Sequence, residues 1–254
     1  MFVPSRHVAF GKGPRSLVVI PGLSLNDVTV APDVLKPVFK PFFQGWTVYV
    51  IDRPADVPAG TTNYDLAVFY ARMMEYLGIE SADIIGTSQG GMIGQHLAVS
   101  FPDKVHRLVL AATLARPNPT MERVFAHWIE LAEDEKWEEL NLDFFGRLFS
   151  DAYLEKYSKA FAMLVRTQKS ENKERFINMV RACLTAGPFE DLGKIACPVL
   201  VVGGDLDGVL TGEASREIAA VLGCELHMYS SLRHAVYDEA SEDFYRRTLE
   251  FLSK

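Results

Sequence analysis

The sequence predicts an α/β fold, a mostly parallel sheet flanked by helices with a helical block inserted in its second half. Three observations carry this. Short apolar runs alternate with amphipathic stretches over residues 16–112 and again over 198–252. Between them, over about 115–188, helical clusters recur without a convincing strand. And one apolar run, Ile84-Ile85, breaks into Gly86-Thr87-Ser88-Gln89-Gly90, the pattern of a strand, a sharp turn and a helix with serine at the apex.

Taken in order, Phe2 to Phe10 alternates loosely and ends at Gly11-Lys12-Gly13-Pro14, which predicts an edge strand or hairpin. Ser16 to Ile20 is a short β-branched run stopped by Pro21-Gly22, the form of a strand buried on both faces. Val34, Leu35, Val38, Phe39 and Phe42 lie at helical spacing, but Pro37 and Pro41 interrupt them, so a short or kinked helix is expected. Trp46 to Ile51 reads as the next strand. Asn63 to Leu77 carries a broad apolar stripe, with Asn63 as the expected N-cap and Gly78 just past the end. The strand before Ser88 follows, then a helix from Gln89 to Phe101 and a strand from Val105 to Ala112.

Pro117 and Pro119 open the inserted block and Gly187-Pro188 closes it. Its apolar clusters centre on Val124–Ala132, Phe144–Phe149, Phe161–Val165 and Phe176–Leu184. The expected division is therefore a core of residues 1–115 and 189–254 with a helical insertion over 116–188. After it come a strand over Pro198–Val202, a helix over Gly212–Leu222, a strand over Cys224–Tyr229 and a closing amphipathic helix over Ser241–Leu252.

The bulk numbers narrow the classes of function. The 254 residues are 48% hydrophobic and 23% charged, the balance of a water-soluble globular chain. A net charge of -7 with no basic patch argues against a nucleic-acid partner. No run approaches the ~20 apolar residues that span a bilayer. The first residues, interrupted by Pro4, Arg6, His7 and Lys12, do not form a leader, and a cytoplasmic location is expected. Cys183, Cys197 and Cys224 are three in number and widely spaced, which fits reduced thiols and no zinc site. No metal and no cofactor is expected, and the oligomeric state, monomer or homodimer, stays open.

A serine hydroxyl is a poor nucleophile near neutral pH. It needs a base, usually histidine, and the imidazole needs a third group to orient it. Those partners should follow later strands. Gly203-Gly204-Asp205-Leu206-Asp207 stands after one, and Asp205 and Asp207 both qualify as the acid. Ser231-Leu232-Arg233-His234 stands after the next and offers His234 as the base; the order serine, acid, histidine is that of one class of hydrolases. The other histidines read as structural or exposed, with His127 in the insertion a possible pocket residue. An oxyanion formed on attack needs two backbone N–H donors. Gln89, opening the helix after Ser88, supplies one, and Leu23, after Pro21-Gly22, is the candidate for the second.

At these residues the chain resembles the α/β-hydrolase superfamily over nearly its whole length, in its capped, esterase- or lactonase-like branch with a serine nucleophile. Gly86-Thr87-Ser88-Gln89-Gly90-Gly91-Met92 resembles the family's nucleophile elbow, and Gly204-Asp205-Leu206-Asp207 its Gly-x-x-Asp turn, which favours Asp207. Asp52-Arg53-Pro54 resembles an Asp-x-Arg-Gly segment without its glycine, and the insertion resembles a cap placed after the sixth-strand equivalent. Pro21-Gly22 stands where many members have His-Gly; the glycine and the N–H after it remain, but the imidazole that supports the loop is lost. The resemblance implies a serine hydrolase acting on a carboxylic ester or related acyl bond of a small, apolar substrate. Ser88, Asp207 and His234 would be the triad and Leu23 and Gln89 the oxyanion donors. Phe125, Trp128, Phe145 and Phe149 are the pocket residues expected from the insertion, although most of its aromatics should simply pack it onto the sheet. The same triad serves lactone or carbon–carbon bond hydrolysis, acyl transfer and cofactor-free perhydrolysis. A ligand receptor on the same fold is the alternative of another class.

Overall fold

The structure, a computed structural model, describes residues 2–254. Seven strands form one sheet: β1 (His7–Phe10), β2 (Arg15–Ile20), β3 (Trp46–Ile51), β4 (Ala82–Thr87), β5 (Val105–Ala111), β6 (Val199–Gly204) and β7 (Glu225–Tyr229). They lie in the order β1-β3-β2-β4-β5-β6-β7. β1 pairs antiparallel with β3 at one edge, and every other pairing is parallel. The carboxyl ends of β2, β4, β5, β6 and β7 therefore share one rim, the position at which open parallel sheets meet ligands.

The period of two along each strand divides the core. Val18, Ile20, Ile84, Leu108, Leu110 and Val201 face one side, where α2 (Asn63–Tyr76), α3 (Gln89–Ser100) and α9 (Gly212–Leu222) bury Leu66, Met73, Leu97 and Ile218. Leu17, Val19, Ile85, Val109 and Val202 face the other side, against Phe39 of α1 (Pro32–Phe39) and Phe244, Phe251 and Leu252 of α11 (Ser241–Leu252). Pro37 lies inside α1, which stops two residues later and gives way to a 3-10 turn over Lys40–Phe42, the interruption its prolines foretold. The cap on α2 differs by one residue from the sequence reading. Thr62 is the N-cap, in a reciprocal capping box with Asp65, while Asn63 is buried and donates to the carbonyl of Ala186.

Between β5 and β6 stand five helices: α4 (Pro119–Glu133), α5 (Trp137–Leu148), α6 (Asp151–Lys156), α7 (Ser158–Thr167) and α8 (Lys173–Cys183). Their buried faces join Met121, Phe125, Trp128, Leu140 and Phe176 into a third core that also takes in Met92, Val209 and Leu210 from the sheet side. The four apolar clusters of the sequence became five helices because α6, at six residues, is too short to show a period. A short α10 (Val236–Glu239) precedes α11. No helix among the described residues is long and apolar enough to cross a membrane.

The turn from β4 into α3 is the tightest junction. Ser88 sits at φ 52, ψ -118, a backbone state that costs an ordinary residue about 1–3 kcal/mol. Packing on both sides enforces it. A Cβ on Gly86 would stand 2.5 Å from the carbonyl oxygen of Gly90, and one on Gly90 would stand 1.9 Å from that of Ile20. α3 is packed onto β2, β4 and β5, so it cannot lift off the sheet cheaply to admit either. Gly146, within α5, has no atom within 4 Å of the same construction. Gly90→Ala should therefore lower the free energy of unfolding in urea by about 3 kcal/mol. Gly146→Ala, in a helix interior, should raise it by up to about 1 kcal/mol. Equal responses of the two variants would contradict this packing.

Candidate active site

Four loops meet at the sheet's carboxyl rim. The first holds Ser88. Its N–H donates to Ala111 O at 2.8 Å, and its carbonyl accepts from Thr113 Oγ1 at 2.8 Å and Gly91 N at 2.9 Å. The strained backbone is thus held by the neighbouring strand and by a buried threonine just beyond it.

The second loop follows β6. Asp207 is buried; its Oδ1 accepts from Val209 N at 2.8 Å and Leu210 N at 2.9 Å, and its Oδ2 stands 2.8 Å from His234 Nδ1. Asp205, the other candidate acid, instead points outward and pairs with Arg216 on α9. Burial pushes the Asp207 carboxyl upward, but the charge of His234, its hydrogen bond and the amides of Leu210 and Val209 together outweigh burial. The net effect holds the group below its ordinary value of 3.8. An ionised carboxylate only accepts, so Nδ1 of His234 must donate, and in the neutral ring Nε2 is left as an acceptor.

His234 is 3% exposed, on the loop after β7. The insertion pins that loop. Ala235 N donates to Leu148 O at 2.9 Å, and Arg233 Nη1 donates to Gly146 O and Phe149 O, each at 2.7 Å. Ser88 and His234 line one cavity, and no hydrogen bond joins Ser88 Oγ to the ring among the described residues. Such contacts commonly tighten only when substrate is bound.

The fourth loop follows β2. Leu23 lines the same cavity, and its N–H has no acceptor among the described residues. Gly22 approaches Ser88 so closely that a Cβ would come within 3.1 Å of the serine Cβ. Gln89 opens α3, where an N–H has no acceptor inside its own helix and the helix dipole presents its positive end.

The insertion roofs the cavity with Phe125, Trp128, Phe144 and Leu148, and Val209 and Tyr237 complete the wall. Its volume is about 20 Å³, room for about one water molecule. Of the four pocket residues expected from sequence, Phe125 and Trp128 lie here. Phe145 and Phe149 do not; with Tyr153, Phe161 and Leu164 they line a neighbouring groove of about 410 Å³, from which Tyr237 is the shared wall. Phe144 is one of the insertion aromatics that suggest an apolar pocket, whereas Tyr237 was not expected there. Phe144 stands in a cluster the sequence shows, and Tyr237 follows the histidine by three positions. His127 is exposed on α4 and takes no part. All three cysteines are free thiols, and burial pushes Cys183 up to about 12, far from a reactive thiolate.

A hydrolase of Klebsiella pneumoniae named for 2-hydroxy-6-oxononadienedioate and 2-hydroxy-6-oxononatrienedioate is 27% identical over 232 residues, 83% of this chain and 77% of that enzyme. A homoserine O-acetyltransferase of Thermus thermophilus is 43% identical over 63 residues, 25% of this chain, and the match spans only 16% of that enzyme's length. Among solved structures, the enol-lactonase from Burkholderia xenovorans LB400 superposes with a TM-score of 0.84 at 22% identity, covering 98% of this chain and 96% of that one, a likeness of fold. The family model described as alpha/beta hydrolase fold matches residues 16–241. A match of that length shows the family: this chain belongs to the alpha/beta hydrolase fold family.

Proposed function

We propose that this protein is a serine hydrolase that cleaves a carboxylic ester, or a related acyl bond, of a small apolar substrate. The observation that carries the reading is the Asp207–His234 pair at 2.8 Å, opening on the cavity that Ser88 and Leu23 also line. His234 Nε2 takes the hydroxyl proton as Ser88 Oγ adds to the substrate carbonyl. The carbonyl oxygen becomes negative and is held by the N–H groups of Leu23 and Gln89. The tetrahedral carbon then expels the alcohol, which receives the proton from His234. Water, activated by the same imidazole, attacks the acyl-enzyme and frees the acid and Ser88 Oγ–H. Asp207 keeps the ring in the tautomer that allows both transfers.

The cavity bears on the substrate. Its lining is mostly apolar and holds no lysine or arginine, which favours a neutral acyl group. The dianionic compounds that name the Klebsiella relative fit this cavity poorly for that reason. A neutral, short acyl group is the better match. Lactone opening, acyl transfer and perhydrolysis differ only in what leaves or attacks, and product analysis with alternative acceptors separates them. Slow turnover with tightly retained product would instead favour a ligand receptor.

Three measurements test the reading. A fluorophosphonate probe should label Ser88, and Ser88→Ala should lose both labelling and ester turnover; undiminished turnover in that variant rules the reading out. Across an ester panel, kcat/KM should be highest for acetyl or propionyl esters, since each methylene forced into a full cavity costs about 1–3 kcal/mol. A preference for long acyl chains would contradict the cavity assignment. The third concerns Asp207. Asp207→Asn should reduce kcat by about 10³–10⁴-fold through the wrong tautomer. Because its folded pKa is depressed, Asp207 contributes stability above its unfolded value, and this is lost as pH falls through the folded one. The stability gap between wild type and Asp207→Asn should thus shrink as pH falls from about 4 to 3 and below. A gap independent of pH would show that the carboxylate is not stabilised by its surroundings.

A further inference from the structure

Arg53 stands two residues after the end of β3 and is 1% exposed. It does not lie against Ser88; it lies beneath the loop after β2. Its Nη1 donates to the carbonyl oxygens of Pro21 at 2.8 Å and Gly22 at 2.6 Å, and its Nη2 donates to Ser24 Oγ at 2.7 Å. The oxygen of Gly22 and the N–H of Leu23 belong to one peptide unit. That unit is planar and trans, so its N–H points opposite to its C=O. A guanidinium gripping the oxygen therefore fixes where the N–H is aimed, on the side away from Arg53.

The guanidinium is itself anchored to the insertion. Arg175, in the first turn of α8, donates from Nη2 to Asp52 Oδ2 at 2.8 Å and from Nε to Pro54 O at 2.9 Å. Asp52 Oδ1 stands 3.5 Å from Arg53 Nη2. An arginine kept only to neutralise Asp52 would turn its donors to the carboxylate. Here three hydrogen bonds go to loop oxygens, while Asp52 Oδ1 and Arg53 Nε have no hydrogen-bond partner. A buried charge held this way is expensive for the fold, and its contacts say what it holds in place.

We propose that Arg53, braced against the insertion by Asp52 and Arg175, is the positioning residue of the oxyanion site, turning the Gly22–Leu23 peptide so that its N–H faces the carbonyl oxygen attacked by Ser88. The inference rests on Ser88 being the nucleophile. A lysine cannot reproduce the clamp, because one ammonium lacks the planar fork that reaches separate acceptors.

The test compares wild type, Arg53→Lys and Arg175→Met on a short-chain ester, with a trifluoromethyl ketone as mimic of the tetrahedral oxyanion. Arg53→Lys should lower kcat by about 10²-fold, as loss of one oxyanion donor does. KM should stay within about threefold, and affinity for the ketone should fall in step with kcat. Arg53→Ala should regain part of its kcat when millimolar guanidinium is added. Arg175→Met, which leaves Arg53 in place, should show a smaller fall in kcat at unchanged KM, and it carries the test if the Arg53 variants do not fold. A folded Arg53→Lys whose kcat and ketone affinity match wild type overturns the proposal, whatever happens to its melting temperature; so does an unchanged kcat in Arg175→Met if that variant alone is soluble. If wild-type Ser88 resists the fluorophosphonate, the serine reading falls and this inference with it. Labelled Ser88 beside an undiminished Arg53→Lys removes only the role of Arg53.

Discussion

The close approach of β4 and α3 at Ser88 is the constraint to which the other features answer. A serine at φ 52 does not hold that conformation unaided. It is held because Gly90 lies against the carbonyl of Ile20 and because Ala111 and Thr113 take up its backbone polar groups. Those contacts involve β2 and β5, the two strands that flank β4. The same crowding brings Gly22 against the serine, so Ser88 and the loop that carries Leu23 are fixed together. The strain is local, and the sheet supplies the rigidity that sustains it.

Around that point the electrostatics divide into two separate buried systems. Asp207 and His234 form one, in which amides of the following turn offset the cost of burying the carboxylate. Asp52, Arg53 and Arg175 form the other, on the far side of the loop after β2. The first holds the imidazole of His234, and the second grips the loop after β2. The insertion reaches both: Leu148, Gly146 and Phe149 accept from the histidine loop, and Arg175 grasps Asp52. The helical block is thus tied to the two chemical halves of the site as well as roofing it.

Much of this was legible in the sequence, and the gaps have physical causes. The strand runs, the glycines at 86 and 90 and the insertion are local patterns, and local patterns survive reading one residue at a time. The choice between Asp205 and Asp207 rested on a resemblance, because both follow the same strand; only the fold shows one turned toward His234 and the other toward Arg216. Phe144 and Phe145 make the point for the insertion. Neighbours on a helix point about 100° apart, so one meets the cavity of Ser88 and the other the adjoining groove. No periodicity distinguishes them until the helix is docked. Arg53 was visible beside Asp52, but its acceptors are carbonyls, which every residue carries and no sequence advertises.

Ser88, Asp207 and His234 leave three different strands, and the five-helix insert lies between the first and the other two. The site is consequently among the most non-local objects in the molecule. Parallel pairings close long loops before they return any contact energy, so they form slowly relative to hairpins and helices. The turn at Ser88 needs only β2, β4, β5 and α3. Asp207 and His234 meet only where β6 and β7 join the sheet. A chain cut after β5 would thus keep the strands that hold the Ser88 turn and lack Asp207 and His234 altogether.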